Sequence, residues 1–268
     1  MTSFDRALVR PPAETFAAGL TQAGLGAPDF ALACAQHAAY CAALEAAGLE
    51  LIRLVPELDL PDSTFVEDTA ILTPRGAIVT RPGAASRTRE IDTIAVALGR
   101  IGGEPRRIEA PGTVDGGDVC DVDGQFLIGL STRTNEAGAR QLAAHLAAWG
   151  YTAATLDVRA LGPALLHLKS GLSELGDGRV AVVPELAADP ALARFERVVV
   201  AAEESYAANC IRVNDRVLVA AGYPRFAATL DRLDYRVEAL PMTEFRKMDG
   251  GLSCLSLRFP RGLSAPAR

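Results

Sequence analysis

The sequence predicts an α/β fold in which five strand–strand–helix–strand (ββαβ) units close into a ring with pseudo-fivefold symmetry. Three observations carry that expectation. Hairpin signals recur at intervals of roughly 40–50 residues, a spacing of repeated supersecondary units rather than of one continuous sheet. A helical stretch and a third apolar run follow each hairpin except the last. The pieces missing from the last unit stand, in the right order, at the amino-terminal end of the chain.

Taken in order, Ala7-Leu8-Val9 reads as a short strand stopped by Pro11-Pro12. A Gly-rich loop from Gly19 to Gly26 leads into a helix from Asp29 to Ala47, with Asp29 as N-cap and Gly48 as C-cap. Leu49–Val55 is a strand ending at Pro56. The first hairpin pairs Val66–Leu72 with Ala77–Thr80, and the second pairs Gly117–Val122 with Gln125–Gly129 around Asp123-Gly124. The third pairs Ser170–Leu175 with Arg179–Val183, and the fourth Ala208–Val213 with Arg216–Ala220 around Asn214-Asp215. Asp-Gly and Asn-Asp between apolar runs are strong hairpin signals, because these residues tolerate left-handed backbone. Helices are expected at Arg87–Gly99, Glu136–Trp149, Pro190–Phe195 and Pro224–Leu233, with strands near Arg106–Glu109, Thr152–Val158, Arg197–Ala201 and Tyr235–Ala239. The fifth unit holds only the apolar alternation Ser253–Phe259, so the amino-terminal strand, helix and Leu49–Val55 complete it. An open α/β sheet with antiparallel edges is the alternative that periodicity leaves. No linker or charge block divides the chain, which predicts one domain over residues 1–268.

Composition narrows the function. With 268 residues, 49% hydrophobic and 22% charged, the chain can bury a sizeable core and is not a disordered sequence. A formal charge of −6, with no basic run longer than Arg106-Arg107, disfavours nucleic acid as a partner. The start, MTSFDRALVRPP, lacks the apolar core of a signal peptide, and no run is apolar enough to span a membrane. Five cysteines without close pairing and three scattered histidines argue against a disulfide scaffold or a zinc knuckle and point to the cytoplasm. Cys34 and Cys41, seven apart on one helix, share a face and are expected in the core.

The chemistry centres on Lys247-Met248-Asp249-Gly250-Gly251-Leu252-Ser253-Cys254, a carboxylate and a thiol separated by two glycines. In a closed ring, corresponding hairpin starts converge on the axis. Those starts carry Glu67-Asp68, Asp115 with Asp118, His167 with Lys169, and Asp249 with Cys254. Singly, each has an ordinary structural explanation: a core histidine, a solvated acid, a glycine turn. Jointly they give a nucleophile, a proton shuttle and carboxylates that would hold a planar cation such as a guanidinium.

The blocks FVED (Phe65–Asp68), TRPGAASR (Thr80–Arg87), APGTVDGGD (Ala110–Asp118), RTN (Arg133–Asn135), HLKSGL (His167–Leu172), EESYAANCIRVN (Glu203–Asn214) and RKMDGGLSCLSLRF (Arg246–Phe259) resemble the dimethylarginine dimethylaminohydrolases. These belong to the guanidino-modifying pentein superfamily of five-bladed α/β propellers, and the resemblance runs from about Leu20 to Phe259. It implies Cys254 as nucleophile, His167 as general acid/base and Asp115 as the acid that orients the histidine. Some relatives carry Glu at that position, which leaves Asp115 or Asp118 for the contact. Asp68 and Asp249 match the pair that grips the guanidinium, with Glu67 and Met248 beside them in the substrate-binding set. Arg87 and Arg133 match a clamp on the substrate α-carboxylate, Asp62 and the Leu20 loop match contacts near the α-amino group, and Phe65 matches a wall beside the methylated nitrogen.

The implied reaction hydrolyses asymmetric dimethylarginine or monomethylarginine to citrulline and dimethylamine or methylamine, through a covalent intermediate on Cys254 and with no metal or organic cofactor. The partner is then a small-molecule substrate, and a homodimer is possible. Arginine deiminase is the nearest rival, although such relatives are usually longer. Agmatine deiminase would not need arginines that pair an α-carboxylate. A non-enzymatic ribosome-binding factor of the same fold would not need the thiol, imidazole and acids together.

Overall fold

The hairpin turns fall where a short polar side chain permits left-handed backbone: Asp123, Asp177 and Asn214 adopt φ of 51°, 55° and 54°. Around them the computed structural model, which describes residues 3–162 and 165–262, builds five three-stranded sheets. Strand β1 (Arg6–Val9), helix α1 (Phe30–Ala46) and strand β2 (Glu50–Arg53) come first. The first complete unit is β3 (Ala70–Thr73), β4 (Gly76–Val79), α2 (Ile91–Gly102) and β5 (Arg106–Arg107). The second is β6 (Val119–Val122), β7 (Gln125–Leu130), α3 (Glu136–Ala147) and β8 (Thr152–Asp157). The third has only strands, β9 (Leu172–Gly176), β10 (Arg179–Val182) and β11 (Glu196–Val199). The fourth is β12 (Ile211–Val213), β13 (Arg216–Ala220), α4 (Pro224–Arg232) and β14 (Arg236–Leu240), followed by the short helix α5 (Thr243–Arg246) and by β15 (Leu257–Phe259).

In each complete unit the second strand is central, antiparallel to the first and parallel to the third. Parallel neighbours need a crossover, and the intervening helical segment makes it. The fifth sheet has the same pattern assembled from both ends of the described chain. Its central strand β1 runs antiparallel to β15 (Arg6 opposite Phe259) and parallel to β2 (Arg6 opposite Glu50). The ring expected from the repeat is therefore closed as predicted. Apolar clusters fill the space between sheets and helices; Tyr40, Leu44 and Phe245, for example, join α1 to the fifth unit.

Several expectations need correction. The residues read as hairpin starts are 3-10 turns, not strand: Val66–Thr69, Gly116–Asp118, Leu168–Ser170, Ala202–Ala208 and Ser253–Leu255. The strands proper begin one to three residues after these turns end. Neighbouring turns pack on one another: the first on the second and fifth, the second on the third, the third on the fourth. The helix expected at Pro190–Phe195 is a single 3-10 turn, Pro190–Leu192, too short to sustain α-helical bonding. The stretch from Ala85 to Glu90 is 3-10, so α2 starts after Arg87 rather than at it. Ala47 is the C-cap of α1, with Gly48 one residue beyond at φ 93°. Cys41 is buried but Cys34, nearer the open end of α1, is only half-buried. Among the described residues no helix is long and apolar enough to cross a membrane.

Candidate active site

The fifth turn carries the thiol. Asp249 takes φ 57°, while the glycines that follow have ordinary backbone and are required for contact instead. A Cβ on Gly250 would stand 2.3 Å from the Phe65 ring, and one on Gly251 would stand 2.4 Å from the Asn209 side chain. Cys254 is 9% exposed, and its Sγ accepts the Gly251 N–H at 3.5 Å. The residue before it is pinned on both sides. Ser253 N–H donates to Asn209 Oδ1 (2.9 Å), and its hydroxyl donates to Glu67 Oε2 (2.7 Å).

His167, 7% exposed, caps the third turn with its ring Nε2 3.1 Å from Asp115 Oδ2. Asp115 is fully buried; its other oxygen accepts the Gly83 N–H at 2.8 Å, which fixes the carboxylate. Asp118 turns elsewhere, accepting from the Ser131 hydroxyl (2.6 Å) and from Leu168 N–H (2.9 Å). Of the two acids left open by the sequence, Asp115 thus meets the imidazole, and Asp118 ties the second turn to the third. Between them Gly117 has no room for a side chain, since a Cβ would lie 2.9 Å from the His167 ring.

Asp68 and Glu67, adjacent in the first turn, face different partners. Asp68 accepts the Gly117 N–H on Oδ1 (2.8 Å) and Arg87 Nη1 on Oδ2 (2.6 Å). Glu67 bonds Lys169 as well as Ser253. Arg87 is a buried, ion-paired guanidinium. It is 4% exposed, with Nε and Nη2 on Glu90 (3.0 and 2.8 Å) and Nη2 also donating to the Phe65 carbonyl (3.3 Å). Arg133 differs: its Nη1 lies 3.5 Å from Asp115 Oδ2 but, buried, makes no hydrogen bond among the described residues.

The Gly19–Gly26 loop straps across the site. Leu20 N–H donates to both oxygens of Asp62 (3.1 Å each), while the Leu20 side chain is 42% exposed. Gln22 N–H donates to Asp249 Oδ2 (2.6 Å), and the Thr21 hydroxyl to the Lys247 carbonyl (2.8 Å). Met248 is buried beneath, against the loop at Gly19. Phe65 packs on Phe16 and Phe245 at ring distances of 5.9 and 6.3 Å.

Burial would lower the His167 pKa, but Asp68, Asp118 and Asp115 outweigh it and hold the imidazole near 9. Burial, reinforced by Glu67 and Asp68, pushes the Cys254 thiol up to about 12. Burial opposes ionisation of Asp68, yet His167 and Arg87 keep it well below the usual carboxylate range. At neutral pH the site therefore holds an imidazolium, an ionised Asp68 and a neutral thiol. Alkylation of Cys254 by iodoacetamide should then rise about tenfold per pH unit from pH 7 to 9, because only the thiolate reacts. A rate already flat below pH 8, followed by mass spectrometry, would show a preformed thiolate instead.

Asp68, Asp115 and His167 each offer a donor atom within 4.8 Å of the others, close enough for a cation. The Arg87 guanidinium on Asp68 already supplies one. A separate cavity of about 330 Å³ lies among the strands beyond Glu67, Lys169 and Ser253, and none of Asp68, Asp115, His167 or Cys254 lines it. Glu90 and Asn209 were not singled out from the sequence. The spacing of Arg87 and Glu90 on one helical face was a usable signal for the first, and the EESYAANCIRVN block for the second.

No family model matches the chain. It is 44% identical over 257 residues to N(G),N(G)-dimethylarginine dimethylaminohydrolase of Pseudomonas aeruginosa, covering 96% of this chain and 100% of that one. The chain belongs to the dimethylarginine dimethylaminohydrolase family. A family member from Streptomyces coelicolor is 37% identical over 254 residues, 94% of this chain and 96% of its own. The solved family structure from Pseudomonas aeruginosa, a cysteine-to-serine mutant complexed with citrulline, superposes with a TM-score of 0.92 at 43% identity, over 96% of this chain and 100% of that one. The N-terminal domain of ArgZ, an arginine dihydrolase from cyanobacteria, shares the fold at a TM-score of 0.87 and 17% identity, over 97% of this chain and 98% of its own.

Proposed function

We propose that the chain hydrolyses Nω-methylated arginines to citrulline and methylamine or dimethylamine, working as a single catalytic domain. The observation that carries this reading is the convergence, from separate units, of a buried thiol with an imidazole–carboxylate pair and further acids. Asp68 acts on both the imidazole and the thiol, so one carboxylate links the two reacting groups. Membership of the family, whose Pseudomonas aeruginosa member is seen with citrulline, supports the same reading.

The acids disfavour the thiolate until a cation arrives. A methylguanidinium between Asp68 and Asp249 offsets that negative field, since each carboxylate oxygen keeps a second lone pair beyond its present bond. The thiol proton leaves to water, and Sγ bonds to the guanidinium carbon. The bond to the methylated nitrogen breaks as His167 protonates it, and the amine departs. Water attacks the resulting S-alkylthiouronium and returns a proton to His167. The C–S bond then breaks as the new hydroxyl gives its proton to the departing sulfur, releasing citrulline and restoring the resting thiol. Asp115 keeps the imidazole oriented throughout.

Arg133, with an unsatisfied buried nitrogen, is the better placed of the two arginines to receive the α-carboxylate. Arg133→Ala should raise KM by about 10- to 100-fold with kcat within a few-fold. An unchanged KM overturns that role. Citrulline formation from monomethylarginine, asymmetric dimethylarginine and arginine tests the reaction itself. Turnover of arginine alone would make the chain a deiminase instead.

A further inference from the structure

Four of the five inner turns, with the residues flanking them, supply the thiol, the imidazole and the acids of the proposed reaction; the fourth, Ala202–Ala208, supplies none. Its conspicuous SYAAN stretch still needs an explanation. We propose that Tyr206 and Asn209 are positioning residues that hold the nucleophile loop, Asp249 to Cys254, in register with the imidazole; this rests on the assignment of Cys254 as nucleophile.

The contacts are specific to that loop. The Tyr206 hydroxyl donates to the Gly250 carbonyl at 2.8 Å, and Asn209 Oδ1 accepts the Ser253 N–H at 2.9 Å. Asn209 also lies so close to Gly251 that a Cβ there would fall 2.4 Å from its side chain. Gly251 N–H in turn points to Cys254 Sγ, at 3.5 Å. Two side chains from one unit thus touch the neighbouring unit's loop at Gly250, Gly251 and Ser253, and Gly251 carries the donor that faces the sulfur. The loop needs such support because both of its glycines carry no side chain to anchor it and Asp249 stands in left-handed backbone.

The brace is itself anchored. Buried Glu204 accepts the N–H groups of Arg225 (3.1 Å) and Phe226 (2.7 Å), tying the turn to the start of α4. Tyr206 packs on Tyr223 with ring centroids 5.7 Å apart, and the Arg246 guanidinium lies 5.1 Å from its ring centre. Small displacements of a reacting atom cost rate steeply, so loosening this support acts on the chemical step rather than on substrate affinity.

Asn209→Ala, Asn209→Asp and Tyr206→Phe would be compared for kcat, KM, melting temperature and iodoacetamide alkylation of Cys254. Asn209→Ala is expected to lower kcat about 30-fold with KM within about threefold, and Tyr206→Phe to lower kcat about fivefold. Asn209→Asp restores the acceptor for Ser253 and should recover kcat to within about fivefold of wild type. Alkylation should slow in Asn209→Ala without substrate present, which a change in substrate affinity alone would not produce. A folded Asn209→Ala protein with kcat and alkylation within twofold of wild type overturns the proposal, as does Asn209→Asp being no better than Ala. Should Asn209→Ala not fold, unchanged turnover and alkylation in Tyr206→Phe would overturn it. A wild-type protein that forms no citrulline would instead overturn the proposed reaction, and the alkylation rates would still test the brace.

Discussion

Cys254→Ser should abolish turnover, lowering kcat by about 10⁴-fold or more while leaving the melting temperature within a few degrees. The fold tolerates the exchange because an oxygen is smaller than the sulfur and Gly251 N–H can donate to either. The chemistry does not. A thiol pushed up to about 12 can still be ionised by an arriving cation, but a serine hydroxyl needs a base. The nearby imidazole is already protonated at neutral pH, its pKa held near 9 by Asp68, Asp118 and Asp115 after burial is overcome. Mass spectrometry after rapid quenching should show a covalent adduct on the wild-type chain and none on the serine variant. Retention of a tenth of the wild-type rate would remove Cys254 from the role of nucleophile.

Arg87→Met should produce the largest loss of stability, about 3–5 kcal/mol, because it strands two buried carboxylates, Asp68 and Glu90. The effect should depend on pH in a definite direction. Burial already pushes Glu90 up to about 7 despite Arg87, so without the guanidinium both acids would take up protons more readily. An acid whose folded pKa is raised destabilises the native state increasingly as pH climbs through that value. The deficit in melting temperature should therefore be smaller at pH 5 than at pH 8. Equal deficits at both would mean that packing, not charge, is what Arg87 contributes. Activity should fall as well, since Asp68 loses one of the two groups, His167 and Arg87, that keep it ionised.

Much of the fold was legible because its signals are local. Asp123-Gly124 and Asn214-Asp215 mark hairpins by backbone chemistry alone, and the repeat showed how β1 and β15 must meet. The 3-10 turns were not legible, since Val66–Thr69 and Ser253–Leu255 run without a Gly or Pro break into the apolar residues of the strands that follow. The reacting residues could be listed from hairpin starts and from family likeness. The choice of Asp115 over Asp118 could not, because it turns on Ser131 and Leu168 occupying the second acid. The pairing of Arg87 was hidden for the same reason: its partner Glu90 lies three residues away, but nothing in the sequence states that both are buried.

The contact of Glu67 with Lys169 and Ser253 stoppers the middle of the ring, walling the site off from the cavity beyond it. On the side where the substrate would sit, the site is crossed by the strap that Asp62 and Asp249 hold down.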